Sequence, residues 1–316
     1  MDKIILVTCI IPTFNKFDYI YDALKSVTIQ DYCRIELIIC DDASTYFPKL
    51  DIEKYILENR KDNIENVIIH TNSSNVGTVK NMNTGLKLAK GDIFINLSSD
   101  DLLYDNTVIS RVVKRFMDTG YDLISFRRLR CTETTLYAIR YMPDKGYLNM
   151  IRKRYNTAEK QYHAFGLGNT LEMASGASTY YTRSFIENYG YYDEEYRLWE
   201  DGPSYVKYVR NGNVINMAYD FISVKYRVGG ISTIKGKKIS PASKLIQKDY
   251  QYLLKKEYLP YLTRFNWFEK RVIKYRYLNY DQYFNKNITY KIKNIDVIIY
   301  LLICSGLRCF HRCLSM

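Results

Sequence analysis

Three adjacent acid pairs are the residues best suited to chemistry in this chain: Asp41 with Asp42, Asp100 with Asp101, and Glu200 with Asp201. Paired carboxylates can share a hard divalent cation with the oxygens of a bound phosphate, or take a proton from a hydroxyl. Each pair also has a plainer reading. An Asp that follows a strand commonly closes a turn or caps a helix, and an acid at a helix N-terminus meets the helix dipole for about 0.3–1 kcal/mol. The elements around the pairs decide between these readings.

Residues 3–11, "KIILVTCII", form a continuous apolar run of the kind buried on both faces of a parallel sheet, ending at Pro12. Helical spacing follows over residues 16–30, with Tyr19, Ile20, Ala23, Leu24 and Val27 on one stripe. The pattern continues with a strand over 35–40, a helix over 51–60, a strand over 66–70, a helix over 78–90 and a strand over 92–97. Such β-α alternation over about 100 residues predicts an α/β fold with a doubly wound, mostly parallel sheet and flanking helices. Ligands of such sheets bind beyond the carboxyl ends of the strands. Pro12, Thr13 and Asn15 follow the first strand, Asp41 and Asp42 the second, the loop 75–77 the third, and Asp100 and Asp101 the fourth. Four polar clusters on one sheet edge favour a ligand site over four independent turns.

The chemistry of that edge suits a nucleotide diphosphate. Such a ligand needs a carboxylate or amide to read its base, donors near the ribose, and a divalent cation held by one or two carboxylates. The chain has no Gly-x-x-x-x-Gly-Lys-Ser/Thr loop, and no Gly-x-Gly-x-x-Gly follows the first strand, so a P-loop ATPase or a dinucleotide enzyme is disfavoured. In "LWEDGPSYVKYV", Glu200 and Asp201 precede Gly202 and Pro203, and Tyr205, Val206, Tyr208 and Val209 then take helical spacing. The acid pair therefore opens a helix.

Taken in order, "VTCIIPTFNKFDYIYDALKSV", "ELIICDDASTY", "NSSNVGTVKNMNTGLKLAKGDIFINLSSDDLL", "GYYDEEYRLWEDGPSYVKYVRNGNVI" and "VKYRVGGIST" resemble the inverting family 2 glycosyltransferases of the GT-A fold, over residues 4–233. The resemblance implies transfer from a nucleotide-sugar donor, UDP-linked by preference, to a glycan or lipid-linked acceptor in surface polysaccharide synthesis such as capsule or O-antigen. Thr13, with Pro12 and Asn15, matches the nucleotide end, Asp42 the base-reading aspartate, and Asp41 its neighbour. Asn75, Gly77 and Lys80 match the loop that packs on the nucleotide, and Asn83 and Gly85 a structural Asn-x-Gly turn. Asp100 matches the ligand of Mn²⁺ or Mg²⁺, supported by Asp101. The family's usual Asp-x-Asp-Asp reads Ser98, Ser99, Asp100, Asp101 here, so Ser98 brings a hydroxyl where a carboxylate is usual. Metal dependence with weaker metal affinity is the expected outcome. Asp201 matches the general base, with Glu200 as its neighbour or an acceptor contact. Gly176, Ala177 and Ser178 suggest a small-residue strand on the acceptor side, and Arg183 opens the next helix.

The formal net charge of +12 is uneven. From residue 244 onward, 14 Lys and Arg face five Asp and Glu, so the tail holds nine of the twelve net charges. Residues 295–307, "IDVIIYLLICSGL", are too short an apolar run to span a bilayer, which takes about 20 residues. Flanking lysines and arginines suit a helix lying in the membrane interface, with packing on the catalytic domain or a homodimer contact as the alternative. The division expected is a catalytic domain over 1–240 and a helical basic region over 241–316. An odd number of cysteines, seven, and an N-terminus without a small-residue cleavage site point to a reducing cytoplasmic setting, peripheral on the inner face of the cell membrane. Cys304, Cys309, Cys313 and His311 match no common zinc spacing.

Two other classes compete. A nucleotidyltransferase normally carries a Gly-rich phosphate loop with a basic residue near its start, which "CIIPTFN" lacks. A non-catalytic protein would be either a degenerate sugar-nucleotide binder with Ser98 as the lesion, or a nucleic-acid binder. No nucleic-acid module is recognisable, so nucleic acid is not an expected partner.

Overall fold

The computed structural model describes residues 4–168, 173–229, 241–279 and 288–314. Four parallel strands make the first half of the fold: β1 (Val7–Thr13), β2 (Ile35–Asp41), β3 (Ile64–Thr71) and β4 (Ile93–Asn96), in spatial order β3-β2-β1-β4. Successive strand side chains point to opposite faces, so one strand feeds two cores. Val7, Cys9 and Ile11 face α1 (Ile20–Thr28) and α2 (Lys49–Asn59), whereas Ile10, Ile38 and Cys40 face α3 (Thr78–Leu88). Strand order reverses between β1 and β4, and this is where a doubly wound sheet opens a crevice at its carboxyl end.

Several boundaries differ from the sequence expectation for identifiable reasons. β1 runs through Pro12 to Thr13 and does not stop at Pro12. β4 pairs with β1 only from Val7 to Ile10, so Pro12, which has no N–H, falls where the β4 side of the strand is already vacant. α1 starts at Ile20 and not at Lys16, because Asn15 takes a positive φ of 52° and ties back to the next loop. Its N–H donates to Ser44 Oγ at 2.8 Å and its Oδ1 accepts from Thr45 N at 2.9 Å. Asn83 and Gly85 lie inside α3 and form no turn. Gly85 is there for contact: a Cβ would stand 2.7 Å from Ile10 Cγ2, so the helix rests directly on β1.

The second half extends the same sheet. β5 (Leu102–Leu103), α4 (Val108–Thr119), β6 (Leu123–Cys131), β7 (Ala138–Met142), α5 (Lys145–Arg154), α6 (Ala158–Leu167), β8 (Thr179–Thr182), α7 (Arg183–Tyr189), α8 (Asp201–Arg210) and β9 (Asn216–Arg227) follow. Among the described residues, nine strands form one sheet, continuing from β4 through β8, β6 and β9 to β5, with β7 on β6. Gly176–Ser178 is a short 3-10 turn ahead of β8 and not the strand expected.

After residue 240 come α9 (Pro241–Glu257), a 3-10 segment Leu259–Arg264, α10 (Trp267–Asn279), α11 (Ile288–Lys293) and α12 (Ile295–Leu314). Leu253, Leu254, Tyr258, Phe265 and Ile273 share a core with Val206 and Val209 of α8 and with Ile10 of β1. α12 packs by Val297 against Val272 and Tyr275 of α10, while Ile295, Ile299, Leu302 and Ile303 stay exposed. Among the described residues no helix is long and apolar enough to cross a membrane. The last part of the "VGGIST" stretch and the side chains of Cys309, His311 and Cys313 lie outside the described residues.

Candidate active site

At the carboxyl end of β1 and β2, both acids of the first pair are buried and fully engaged. Asp41 Oδ1 accepts from the Thr13 hydroxyl at 3.1 Å and from the Ser44 hydroxyl, and its Oδ2 accepts from Ser44 N at 2.9 Å. Asp42 Oδ1 accepts from Val76 N at 2.8 Å and Asn72 Nδ2 at 3.1 Å, and its Oδ2 from Gly77 N at 2.8 Å. These bonds fix the loop between β3 and α3. Gly77 sits at φ 90° with Arg197 against its Cα, which only glycine accepts readily. Asn75 and Lys80 are exposed on that loop and on the first turn of α3.

The "SSDD" stretch leaves β4 at the reversal of strand order. Asp101 N donates to Ser98 O at 3.0 Å and closes a turn that leaves Ser98 exposed, Ser99 and Asp100 half-buried and Asp101 buried. β5 pairs with β9 immediately afterwards, which brings Arg227 under the turn, and Arg227 N donates to Asp101 Oδ1 at 2.8 Å. The Arg227 guanidinium is buried, pairs with Asp22, donates to Glu133 O at 2.7 Å and lies 4.1 Å from the Tyr19 ring centre. Ser99 and Asp100 open onto a hollow shared with Lys16, Asp18 and Tyr19.

No group of three or more His, Cys, Asp or Glu side chains is arranged to hold a metal among the described residues. A cation of the Mg²⁺ type takes one or two protein carboxylates and completes its shell with phosphate oxygens and water. Asp101 Oδ2 is buried with no protein donor, and burial together with the charge of Asp100 holds the Asp101 carboxyl well above the usual range. A cation beside Asp100 would relieve both, so the residues present fit the group.

The third acid pair starts α8, as the sequence spacing predicts. Asp201 Oδ2 accepts from Gly176 N at 2.6 Å and its Oδ1 from Gly202 N at 2.7 Å, and the Trp199 side chain donates to the same carboxylate. Both acids are half-buried. Burial, then the charge of Asp201, pushes Glu200 up to about 8. Asp201 is raised by burial and held back by the N–H groups of Gly202 and Gly176. The environments separate the two: the N–H groups favour the carboxylate form of Asp201, whereas burial beside that charge favours the protonated form of Glu200. Below them Asn96 of β4 donates to the Tyr192 hydroxyl at 2.8 Å and accepts from that of Tyr181 at 3.1 Å, locking the floor of the site.

Arg197 joins the two halves. Its Nη1 donates to Val76 O at 3.1 Å and its Nη2 to Asn75 Oδ1 at 3.2 Å, so the segment leading into Glu200 is bonded to the loop held by Asp42. Sequence reasoning gave no role to Arg197, Arg227, Tyr192 or Asn96. Arg197 and Arg227 lie within the stretches that carry the resemblance, but nothing in their spacing marks them, because each acts on residues far away in the chain.

Comparisons with known proteins bear on the family and on the fold. Residues 8–190 match the family model for Glycosyl transferase family 2. An uncharacterized glycosyltransferase of Rickettsia typhi is 25% identical over 66% of this chain and 60% of its own length. The Escherichia coli protein named UDP-Glc:alpha-D-GlcNAc-diphosphoundecaprenol beta-1,3-glucosyltransferase WfaP is 34% identical over 38% of this chain and 45% of its own. The chain thus spans less than two thirds of either relative. Among solved structures, S. aureus TarS 1-349 in complex with UDP-GlcNAc shares the fold, with a TM-score of 0.58 at 18% identity over 91% of this chain and 76% of that one. Mannosyltransferase PcManGT from Pyrobaculum calidifontis, in complex with GDP-Man and Mn²⁺, gives 0.56 at 17% identity over 88% and 70%. With more than half of its length matched by the family model and its sheet shared with GT-A enzymes, this chain belongs to glycosyl transferase family 2.

Proposed function

We propose that the protein moves a sugar from a nucleotide-diphosphate sugar, by preference a UDP-sugar, to a hydroxyl of a glycan or lipid-linked oligosaccharide, inverting the anomeric carbon. The observation that carries this reading is the bonding of Arg197 to Asn75 and Val76, which ties the Glu200–Asp201 segment to the nucleotide end of the sheet. A base and a nucleotide site separated by more than 120 residues of sequence are thereby held in one constellation. The UDP preference and the lipid-linked acceptor draw on WfaP, whose name gives both.

In the reaction the acceptor oxygen attacks the anomeric carbon as the bond from that carbon to the diphosphate breaks, the diphosphate leaving with the electron pair. Asp201 takes the acceptor proton, a contribution of about 10²–10⁴-fold. Gly176 N, Gly202 N and the Trp199 side chain hold its carboxylate in place, using three of its roughly four lone-pair sites and leaving one for the acceptor. Asp100, with Asp101 behind it, would hold Mn²⁺ or Mg²⁺, which when bound neutralises the charge developing on the leaving diphosphate. Ser98 offers a hydroxyl to the ribose. Lys80 and Asn75 lie exposed beside the base end, where Asp42 keeps their loop in register.

The tail is read as a membrane-interface contact on the cytoplasmic side. Ile295, Ile299, Leu302 and Ile303 are exposed at helical spacing on α12, and Lys291, Ile292 and Lys293 are exposed on α11 just before it. The test of function is a panel of sugar nucleotides screened for thermal stabilisation and for transfer or hydrolysis, with and without Mn²⁺. Transfer by the native chain and its loss in Asp201→Asn is the expected result; a chain that binds no sugar nucleotide overturns the reading.

A further inference from the structure

The three residues that lead into the acid pair are held by a side chain from outside the matched region. Asp249, on α9, is 6% exposed and its carboxylate receives three consecutive main-chain N–H groups. Arg197 N reaches both oxygens at 3.1 Å, Leu198 N reaches Oδ2 at 2.8 Å and Trp199 N reaches Oδ2 at 3.0 Å. Successive N–H groups converging on one anion make a nest, and a carboxylate in a nest fixes the path of the chain around it. The next residue of α9 adds a second hold, because the Tyr250 ring stacks on the Trp199 indole with centres 5.5 Å apart and planes at 19°.

Trp199 passes this placement on. Its indole lies against Gly202, where a Cβ would come within 2.3 Å of the ring, and its side chain donates to the Asp201 carboxylate. A contiguous path of hydrogen bonds and ring contacts therefore runs from Asp249 through residues 197–199 to Asp201. Removing the acceptor at 249 would leave three part-buried backbone donors without their partner, which weakens the hold on the path of the loop.

We propose that Asp249 is the positioning residue for Glu200 and Asp201, so that α9 is part of the catalytic unit although it follows the acid pair by nearly 50 residues. The proposal rests on the transferase reading for its effect on turnover, but its structural half does not. A carboxylate misplaced by about 1 Å loses on the order of 10²-fold in rate. Removal of Asp249 should therefore lower kcat more than it raises the KM for the donor, since it holds the acid segment directly and reaches the loop 72–77 only through the Arg197 side chain.

Trp199 supplies a readout independent of activity, because the chain has two tryptophans and Trp267 is 70% exposed. In a Trp267→Phe background, emission and acrylamide quenching report Trp199 alone. Asp249→Ala should make Trp199 more quenchable and lower kcat by about 10-fold to 100-fold. Asp249→Asn, which keeps one acceptor oxygen in place, should show the same changes to a smaller degree; it decides the matter should the alanine variant fail to fold. Unchanged quenching in the folded variants, or changed quenching with native kcat, overturns the proposal. Failure of the native chain to transfer from any sugar nucleotide would instead count against the transferase reading, and the quenching comparison would still decide whether Asp249 holds the loop.

Discussion

Asp201 accepts the main-chain N–H of Gly176 at 2.6 Å, across a separation of 25 residues. The contact aims a carboxylate of the second half of the fold at the turn that precedes β8, and a Cβ at Gly176 would stand 3.1 Å from the same oxygen. Gly176→Ala should push the carboxylate aside and lower turnover. Asp201→Asn removes the proposed base, and a loss of about 10²–10⁴-fold in kcat with nucleotide affinity retained is expected from steady-state kinetics beside calorimetry. Near-native kcat in Asp201→Asn would remove it from the mechanism.

Asp100→Ala should abolish the dependence of nucleotide-diphosphate binding on Mn²⁺, read as the loss of the Mn²⁺-dependent rise in Tm with UDP present. Ser98→Asp restores the carboxylate of the usual motif and should lower the Mn²⁺ concentration needed for half-maximal stabilisation. Equal binding with and without metal in the native chain would contradict the assignment of Asp100.

The acid pair sets the sign of the pH dependence. Turnover should rise with pH as Asp201 loses its proton, with apparent values that belong to the pair. Stability runs the other way. Glu200 is raised from 4.5 to about 8 in the fold, so its contribution is present below the unfolded value and lost as pH rises through the folded one. Glu200→Gln, which imitates the protonated acid, should therefore gain Tm relative to the native chain between about pH 5 and about pH 9. A Tm difference that stays flat with pH would show that Glu200 is not raised.

Asp42→Ala leaves the N–H groups of Val76 and Gly77 without their acceptor and should cost about 1–3 kcal/mol in denaturant unfolding. It should also weaken nucleotide binding through disorder of the loop 72–77. Binding that survives while stability falls would limit Asp42 to a bracing role.

Deletion of residues 295–316 should release the protein from anionic vesicles in a sedimentation assay. The native chain remaining in the supernatant would leave the exposed face of α12 to a dimer contact, which light scattering would reveal.

The first half of the fold is legible in the sequence because its strands are continuous apolar runs and its helices carry a single stripe. Ile20, Ala23, Leu24 and Val27 are buried as their spacing requires. The boundaries that differ have tertiary causes. Pro12 is tolerated in β1 only because β4 has already ended beside it, and Asn83 with Gly85, which the resemblance matches to a turn, belongs to the helix that the local spacing predicts, whose close approach to Ile10 requires the glycine. The acid pairs announce themselves by type and position. Their different states do not, since Asp41 and Asp42 have similar local sequence yet brace different loops.

By itself the sequence determined the parallel sheet, the polar ends of its strands and the acid pair at the start of α8, because these depend on periodicity and on residues adjacent in the chain. Only the tertiary structure decided that Arg197 joins the acid segment to the loop 72–77, that Arg227 underlies Asp101, and that Asp249, one of five acids in a basic tail, holds the residues before Glu200. Hydrogen bonds between groups separated by 50 to 126 residues leave no trace in local spacing, since their partners are chosen by the packing of whole elements and not by neighbours along the chain.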